Sequence, residues 1–293
     1  MNILMLTNIY KPLVGGITRS IDAFASEFRR RGHHVLIVAP EFGDDTPEEP
    51  GVVRMPAVPN MYRRQYPWPL PIPGLVHQTI GDFGPDVIHT HHPFLLGAAG
   101  QRESVLWDLP LVYTHHTKHH EYVQLGAARR RLLADLVWSV TLSYCELCDM
   151  LITPSRSIRG MLAEAGVERP MEVVPTGIDA ARLGRGDGNR ARRQYGIPDD
   201  AFVIGSVGRL EPEKNWCFLA PTLAQYLRQH GRVHCLVAGE GQLTGRIREA
   251  FARHGVENRL HLTGTLEGQP LIDAYHALDV FAFASHTETQ GLV

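Results

Sequence analysis

Cysteine is scarce in this sequence. Four residues in 293, Cys145, Cys148, Cys217 and Cys235, are too few and too unevenly spaced to staple so long a chain, which argues against a disulfide framework and for a reducing compartment. Long apolar runs are missing as well: no uninterrupted stretch approaches the roughly 20 residues that cross a bilayer, so a spanning protein is not expected. The opening MNILMLTNIY carries no basic residue ahead of its apolar run and leads straight into a strand-like pattern, so a signal peptide is not expected either. Excess charge of one sign is also absent. Lysine plus arginine (29) against aspartate plus glutamate (31) leaves −2, and nothing in that total marks a nucleic-acid binder.

What is present is a soluble globular composition, 44% hydrophobic and 20% charged, over a length that suits about two domains. Short apolar runs alternate with segments of helical period: NILMLTN, a helix from Thr18 to Arg31, HHVLIVAP, DVIHTHH, LVYTHH and DMLITPS. Strand alternating with helix predicts a parallel sheet covered on both faces. Between Glu41 and Pro73 eight prolines (Pro47, Pro50, Pro56, Pro59, Pro67, Pro69, Pro71, Pro73) interrupt the pattern and predict a long, partly extended surface loop. After MEVVPTGID the chain turns polar and basic through Arg193. A second set follows, with FVIGSVG, a helix over Trp216 to His230, HCLVAGEG, a helix over Leu243 to His254, LHLTG, a helix over Pro270 to Ala277, and VFAFAS. The expected organisation is a first domain over 1–172, a linker over 173–200 and a second domain over 201–293. The closing SHTETQGLV follows a strand with no covering helix, so the second domain is expected to be incomplete.

Two glycine turns carry candidate chemistry. In LTNIYKPLVGGITRS a strand runs into Gly15 and Gly16 and then a helix, which suits an anion at a helix N-terminus or simply a tight turn. It is not the six-residue dinucleotide fingerprint, which disfavours a nicotinamide enzyme. In GSVGRLEPEKNW a second strand ends in a turn bearing Arg209 and Lys214. Two cations at the carboxyl end of a core strand suit a departing diphosphate better than they suit a solvated surface.

VGGITRS, VVPTGID, GRLEPEKN, VAGEG and SHTETQGLV, in this order and at these spacings, resemble the retaining glycosyltransferases of family 4. The resemblance covers the whole chain and implies the GT-B fold: α/β, two Rossmann-like doubly wound domains facing across a cleft. It implies a donor diphosphate held by Arg209 and Lys214, with the glycines of VAGEG, Gly239 and Gly241, on the donor side and the Gly15–Gly16 loop opposite. Glu288 matches the first of the family's two glutamates, which contacts the transferring sugar. The second falls three residues beyond Val293, where the family holds the ribose, so the resemblance implies poor donor binding by the chain as it stands.

Seven histidines crowd together: His89, His91, His92, His115, His116, His119 and His120. Read alone, such a cluster could hold a metal and make a metallohydrolase. Yet IHTHHP lacks the adjacent aspartate of binuclear hydrolases, and no carboxylate stands closer than Asp86 and Glu121. By the resemblance, His116 matches a histidine beside the donor sugar. Cys145 and Cys148 form a CxxC without a second pair and read as ordinary thiols. From Gly126 to Tyr144, Leu132, Leu136, Val140 and Tyr144 lie near one helix face behind Arg129, Arg130 and Arg131. This is either a helix packed on its own sheet or a basic amphipathic helix lying on a membrane. HTKHHEY and the threonine of VPTGID resemble members that glycosylate diacylglycerol.

The expectation is therefore a retaining, metal-independent hexosyltransferase without a cofactor. It moves a hexose from a nucleotide diphosphate sugar, UDP-glucose by preference, to a lipid hydroxyl, in the cytoplasm or peripherally on the inner membrane face. A soluble sugar or polyol acceptor, the metallohydrolase, and a non-catalytic sugar-nucleotide or lipid-binding module stay open as alternatives.

Overall fold

The computed structural model describes residues 1–13, 15–43, 46–59, 66–122 and 127–293, with the side chains of 122 and 127–130 excepted. The chain divides into two compact units, Met1–Gly177 and Ile178–Gly291.

Unit 1 is built on β1 (Asn2–Leu6), α1 (Gly16–Arg30), β2 (His34–Pro40), β3 (Val52–Met55), β4 (Ala57–Val58), β5 (Trp68–Pro69), α2 (Pro73–Phe83), β6 (Val87–Thr90), α3 (Leu96–Trp107), β7 (Leu111–Thr114), α4 (Ala127–Leu147), β8 (Met150–Thr153), α5 (Arg156–Glu164) and β9 (Met171–Val173). Seven strands pair in the order β3-β2-β1-β6-β7-β8-β9, and every pairing is parallel. A parallel sheet is buried on both faces, and β1 illustrates the consequence. Ile3 and Met5 point into one core with Ile21 and Ala25 of α1, while Leu4 and Leu6 point into the other with Leu96, Tyr113 and Tyr144. Helix α1 forms because Ile17, Ile21, Phe24, Ala25 and Phe28 recur at helical spacing and meet that first face.

Unit 2 comprises α6 (Ala180–Leu183), α7 (Gly188–Gln194), β10 (Phe202–Val207), α8 (Trp216–Gln229), β11 (Val233–Ala238), α9 (Thr244–Arg253), β12 (Leu260–Leu262), α10 (Gly268–His276) and β13 (Val280–Phe281). Its sheet runs β12-β11-β10-β13, again all parallel. Trp216, Leu219, Ala220, Leu223, Ala224 and Leu227 repeat at helical spacing on α8 and are buried. Both units are thus doubly wound α/β sheets, the class that strand–helix alternation predicts.

Two stretches differ from expectation. The proline-rich segment is more than a surface loop, because β3 pairs with β2 and Met55 is fully buried in the core. Its prolines sit where a ladder donor is dispensable, and Pro73 opens α2 at a position needing no N–H. The stretch 178–200, expected within a linker, holds α6 and α7 and gives Ala191 and Ile197 to the core of unit 2. Arg190 pairs with the nearly buried Asp273 at 2.5 Å and anchors it there.

Candidate functional site

Open parallel sheets bind ligands beyond the carboxyl ends of their strands, where the strand order reverses. In unit 1 that reversal lies between β1 and β6, and in unit 2 between β10 and β13. Gly15, Gly16, Arg209, Lys214 and Glu288 follow these strands, whereas His116 follows β7 and Gly239 and Gly241 follow β11, each one strand farther out.

In unit 2, β10 runs into Gly208, Arg209 and a short 3-10 turn over Pro212–Lys214 before α8. Arg209 donates to Glu213 at 2.8 Å, and Lys214 is ion-paired with Glu288 on the segment that leaves β13. The Lys214 ammonium also stands 5.5 Å over the Phe283 ring. Glu213 is almost fully buried and its main-chain carbonyl accepts from Ser285 Oγ at 3.3 Å, which ties the β10 turn to the segment after β13. Ser206, Val207, Gly208, Arg209, Lys214, Trp216 and Phe283 line a shallow cleft here. Arg209, Lys214 and Glu288 are therefore brought together. Gly239 and Gly241 do something sequence reasoning missed. A Cβ on Gly239 would run into the Gly208 carbonyl oxygen and one on Gly241 into that of Leu210, so these glycines let two loops lie backbone on backbone. Gly239 also has φ +148°, a conformation few other residues adopt.

In unit 1, β1 leads to the turn ending in Gly15, whose extended backbone caps α1 without any side-chain bond. Gly15 and Gly16 are exposed and nothing described lies within 4 Å of a Cβ built on Gly15, so the start of α1 is open on this side, and a helix N-terminus favours an anion. The loops after β6 and β7 carry the histidines. His89, His91, His92 and His115 are buried, while His116, His119 and His120 keep part of their surface. His89 Nε2 meets Thr114 Oγ1 at 2.7 Å and His91 Nδ1 meets His116 Nε2 at 2.8 Å. Burial drives these imidazoles neutral: His89 is pushed down to about 4 and His115 and His116 to about 3, with neighbouring histidines adding to the shift in the last two. Asn8 was not singled out from the sequence. Its main-chain N–H donates to His92 Nδ1 at 3.1 Å and its side chain donates to the Phe94 carbonyl and accepts from Leu96 N–H, which fixes the β6 loop against the β1 loop. An asparagine two residues past a strand is the kind of signal that could have pointed to it.

Among the described residues no three His, Cys, Asp or Glu side chains are grouped so as to hold a metal ion. Cys145 and Cys148 are buried free thiols at the end of α4, and desolvation pushes Cys145 up to about 12, so neither is a ready nucleophile or ligand. On α4 the apolar stripe faces outward: Leu132 is 75% exposed, Leu136 57% and Val140 40%, whereas Tyr144 is buried. Arg131 is exposed, and the side chains of Arg129 and Arg130 lie outside the described residues. No helix among the described residues is long and apolar enough to cross a membrane.

Comparison with known proteins gives a consistent result. The sequence model described as Glycosyltransferase Family 4 matches residues 14–182, and that described as Glycosyl transferases group 1 matches 187–293. An alpha-monoglucosyldiacylglycerol synthase of Streptococcus pneumoniae is 27% identical over all of this chain and 68% of its own length. A GDP-mannose-dependent alpha-mannosyltransferase of Mycobacterium tuberculosis is 28% identical over 96% of this chain and 72% of its own. Among solved structures, Anabaena HepE in complex with UDP and glucose superposes with a TM-score of 0.73 at 22% identity, covering 97% of this chain and 74% of that one.

Proposed function

The chain belongs to glycosyltransferase family 4, and from that premise we propose that it moves glucose from UDP-glucose to the hydroxyl of a lipid acceptor such as diacylglycerol, with retention and without a metal. The observation that carries the reading is the meeting of Arg209, Lys214 and Glu288 at the strand reversal of unit 2. Glycosyl transfer develops positive character on the sugar and negative charge on the departing diphosphate, so a competent site must answer both. Arg209 and Lys214 answer the second. Glu288 and His116 orient the sugar, and the exposed N-terminus of α1 at Gly15 and Gly16 contributes N–H groups toward the donor. Gly239 and Gly241 serve the donor indirectly by holding the turn that carries Arg209. The acceptor's proton passes to the leaving phosphate oxygen as the C–O bond forms.

Two features favour a lipid acceptor. The relative from S. pneumoniae is named for a diacylglycerol product, and α4 turns leucines outward behind a basic end. Outward leucines following a basic end would let α4 lie against a membrane interface, on the inner face for a protein of the cytoplasm. The mannosyltransferase relative makes GDP-mannose the competing donor.

Release of nucleoside diphosphate from UDP-glucose and from GDP-mannose by a version of the chain carried through the family's second glutamate, each with and without diacylglycerol vesicles, tests the assignment. UDP-glucose with vesicles is expected to turn over fastest, and Lys214→Ala to lose at least about 2 kcal/mol of transition-state stabilisation, roughly thirtyfold in kcat/KM. Preference for GDP-mannose overturns the donor, indifference to vesicles overturns the acceptor, and an unimpaired Lys214→Ala removes the lysine from the mechanism.

A further inference from the structure

The turn after β10 sends its charged side chains in different directions. Pro212 fixes the backbone where the 3-10 turn opens, and Asn215, with φ +57°, closes it as α8 begins. Just ahead of the turn, Glu211 reaches Gln242, the residue past VAGEG, whose Nε2 donates to its Oε2 at 2.7 Å. Within the turn, at three residues per repeat, neighbouring side chains leave about 120° apart. Glu213 accordingly points back to Arg209 while Lys214 goes on to Glu288.

The two ion pairs differ in how readily they can part. Glu288 keeps 30% of its side-chain surface and Glu213 only 7%. Glu213 Oε1 accepts from Arg209 Nη2 at 2.8 Å, and its Oε2 is buried with no hydrogen-bond partner among the described residues. Were Arg209 to swing away, a buried carboxylate would be left without its cation, the costly way to break such a pair. Ser285 Oγ and the His286 N–H both donate to the main-chain carbonyl of Glu213, which pins the residue from behind. Arg209 itself keeps 36% of its side-chain surface, so it can meet a ligand while it is held.

We propose that Glu213 is a positioning residue: it keeps the Arg209 guanidinium in place before any donor arrives, so that the charge meeting the diphosphate needs no rearrangement. The kinetic consequence rests on the reading that Arg209 meets the donor diphosphate, whereas the holding stands on contacts within unit 2.

Two measurements test it. The first is NMR on protein labelled with 15N at arginine, with Arg209 assigned by the signal lost in Arg209→Lys. In the donor-free wild type the Arg209 guanidinium is expected to give separate Nη signals, the mark of slow rotation. Glu213→Gln, which keeps an acceptor oxygen, should preserve them, and Glu213→Leu, which fills the same space without one, should average them. A freely rotating Arg209 in the wild type, or one unchanged in Glu213→Leu, overturns the proposal. The wild-type spectrum needs no variant, so a Glu213→Leu that fails to fold leaves the proposal open to refutation.

The second is release of nucleoside diphosphate by the chain carried through the family's second glutamate, from whichever of UDP-glucose and GDP-mannose it prefers, read as a double-mutant cycle. Glu213→Leu should lose about tenfold in kcat/KM, Glu213→Gln should stay within about threefold of wild type, and Glu213→Leu added to Arg209→Ala should cost less than about twofold more. A residue that only supports the fold would lose as much in either background, and equal losses overturn the proposal. Full turnover by Glu213→Leu beside an impaired Arg209→Ala overturns it too. If the guanidinium is freed in Glu213→Leu while turnover is unchanged both there and in Arg209→Ala, the holding is upheld and the placing of Arg209 at the diphosphate is what fails.

Discussion

At the scale of single residues, the glycines divide into two physical classes that the sequence writes with one letter. Gly15 has open space where a Cβ would go, and its extended backbone is available to any residue. Gly239 has a positive φ and a carbonyl oxygen in the place of a Cβ. Gly239→Ala is therefore expected to destabilise unit 2 by about 2 to 4 kcal/mol, adding backbone strain to a main-chain collision that no rotamer can relieve. Gly15→Ala should leave the urea midpoint within experimental error while weakening whatever anion approaches α1. Equal midpoints for the two variants would refute the distinction. Nothing in VAGEG could have revealed it, since the Gly208 carbonyl that Gly239 accommodates comes from another strand's loop.

At the scale of elements, the helices and strands were legible wherever a period met a single buried face. The buried positions of α1 and α8 follow the helical spacing of their apolar residues, and the alternation of β1 between two cores follows from a sheet covered on both sides. Two elements escaped that logic. Strand β3 lies among prolines, and only pairing with β2, a contact between distant residues, makes it a strand. On α4 the sequence shows an apolar stripe without saying which way it faces, and the structure turns it outward. Since Leu132 and Leu136 are 75% and 57% exposed, replacing both with serine should leave thermal stability within about 2 °C, a surface effect, yet lower partition to anionic vesicles at least tenfold. Neutralising Arg129, Arg130 and Arg131 should add a loss of about 1 kcal/mol each. Vesicle co-sedimentation that survives both sets of changes would leave α4 without a membrane role.

At the scale of the whole chain, the strand reversals explain why the candidate residues were findable at all. Gly15 and Arg209 are far apart in sequence, yet each follows a strand beside a reversal, so recognising the strands was enough to single out their loops, whereas Glu288, on the segment that leaves β13, was singled out by the family resemblance alone. The histidine cluster adds a property of the fold as a whole. His89 and His115 have folded-state values of about 4 and 3, below the ordinary 6.5, so folding excludes their protons. Their contribution to stability is complete above about pH 6.5 and is lost as pH falls toward those values, at about 1.4 kcal/mol per unit for each. The urea midpoint of unit 1 should accordingly drop steeply between pH 6.5 and 5, and a flat profile over that range would show that these rings are not held neutral. The ion pair between Lys214 and Glu288 has a quieter consequence. A resting pocket that supplies its own counterion presents little bait to free inorganic phosphate, which could displace the carboxylate but would leave it stranded. A sugar diphosphate brings an anion for the ammonium and hydroxyls for the released carboxylate at once. Discrimination against the small anions abundant in any cell is thus expected before the partner molecule has been read in any finer detail.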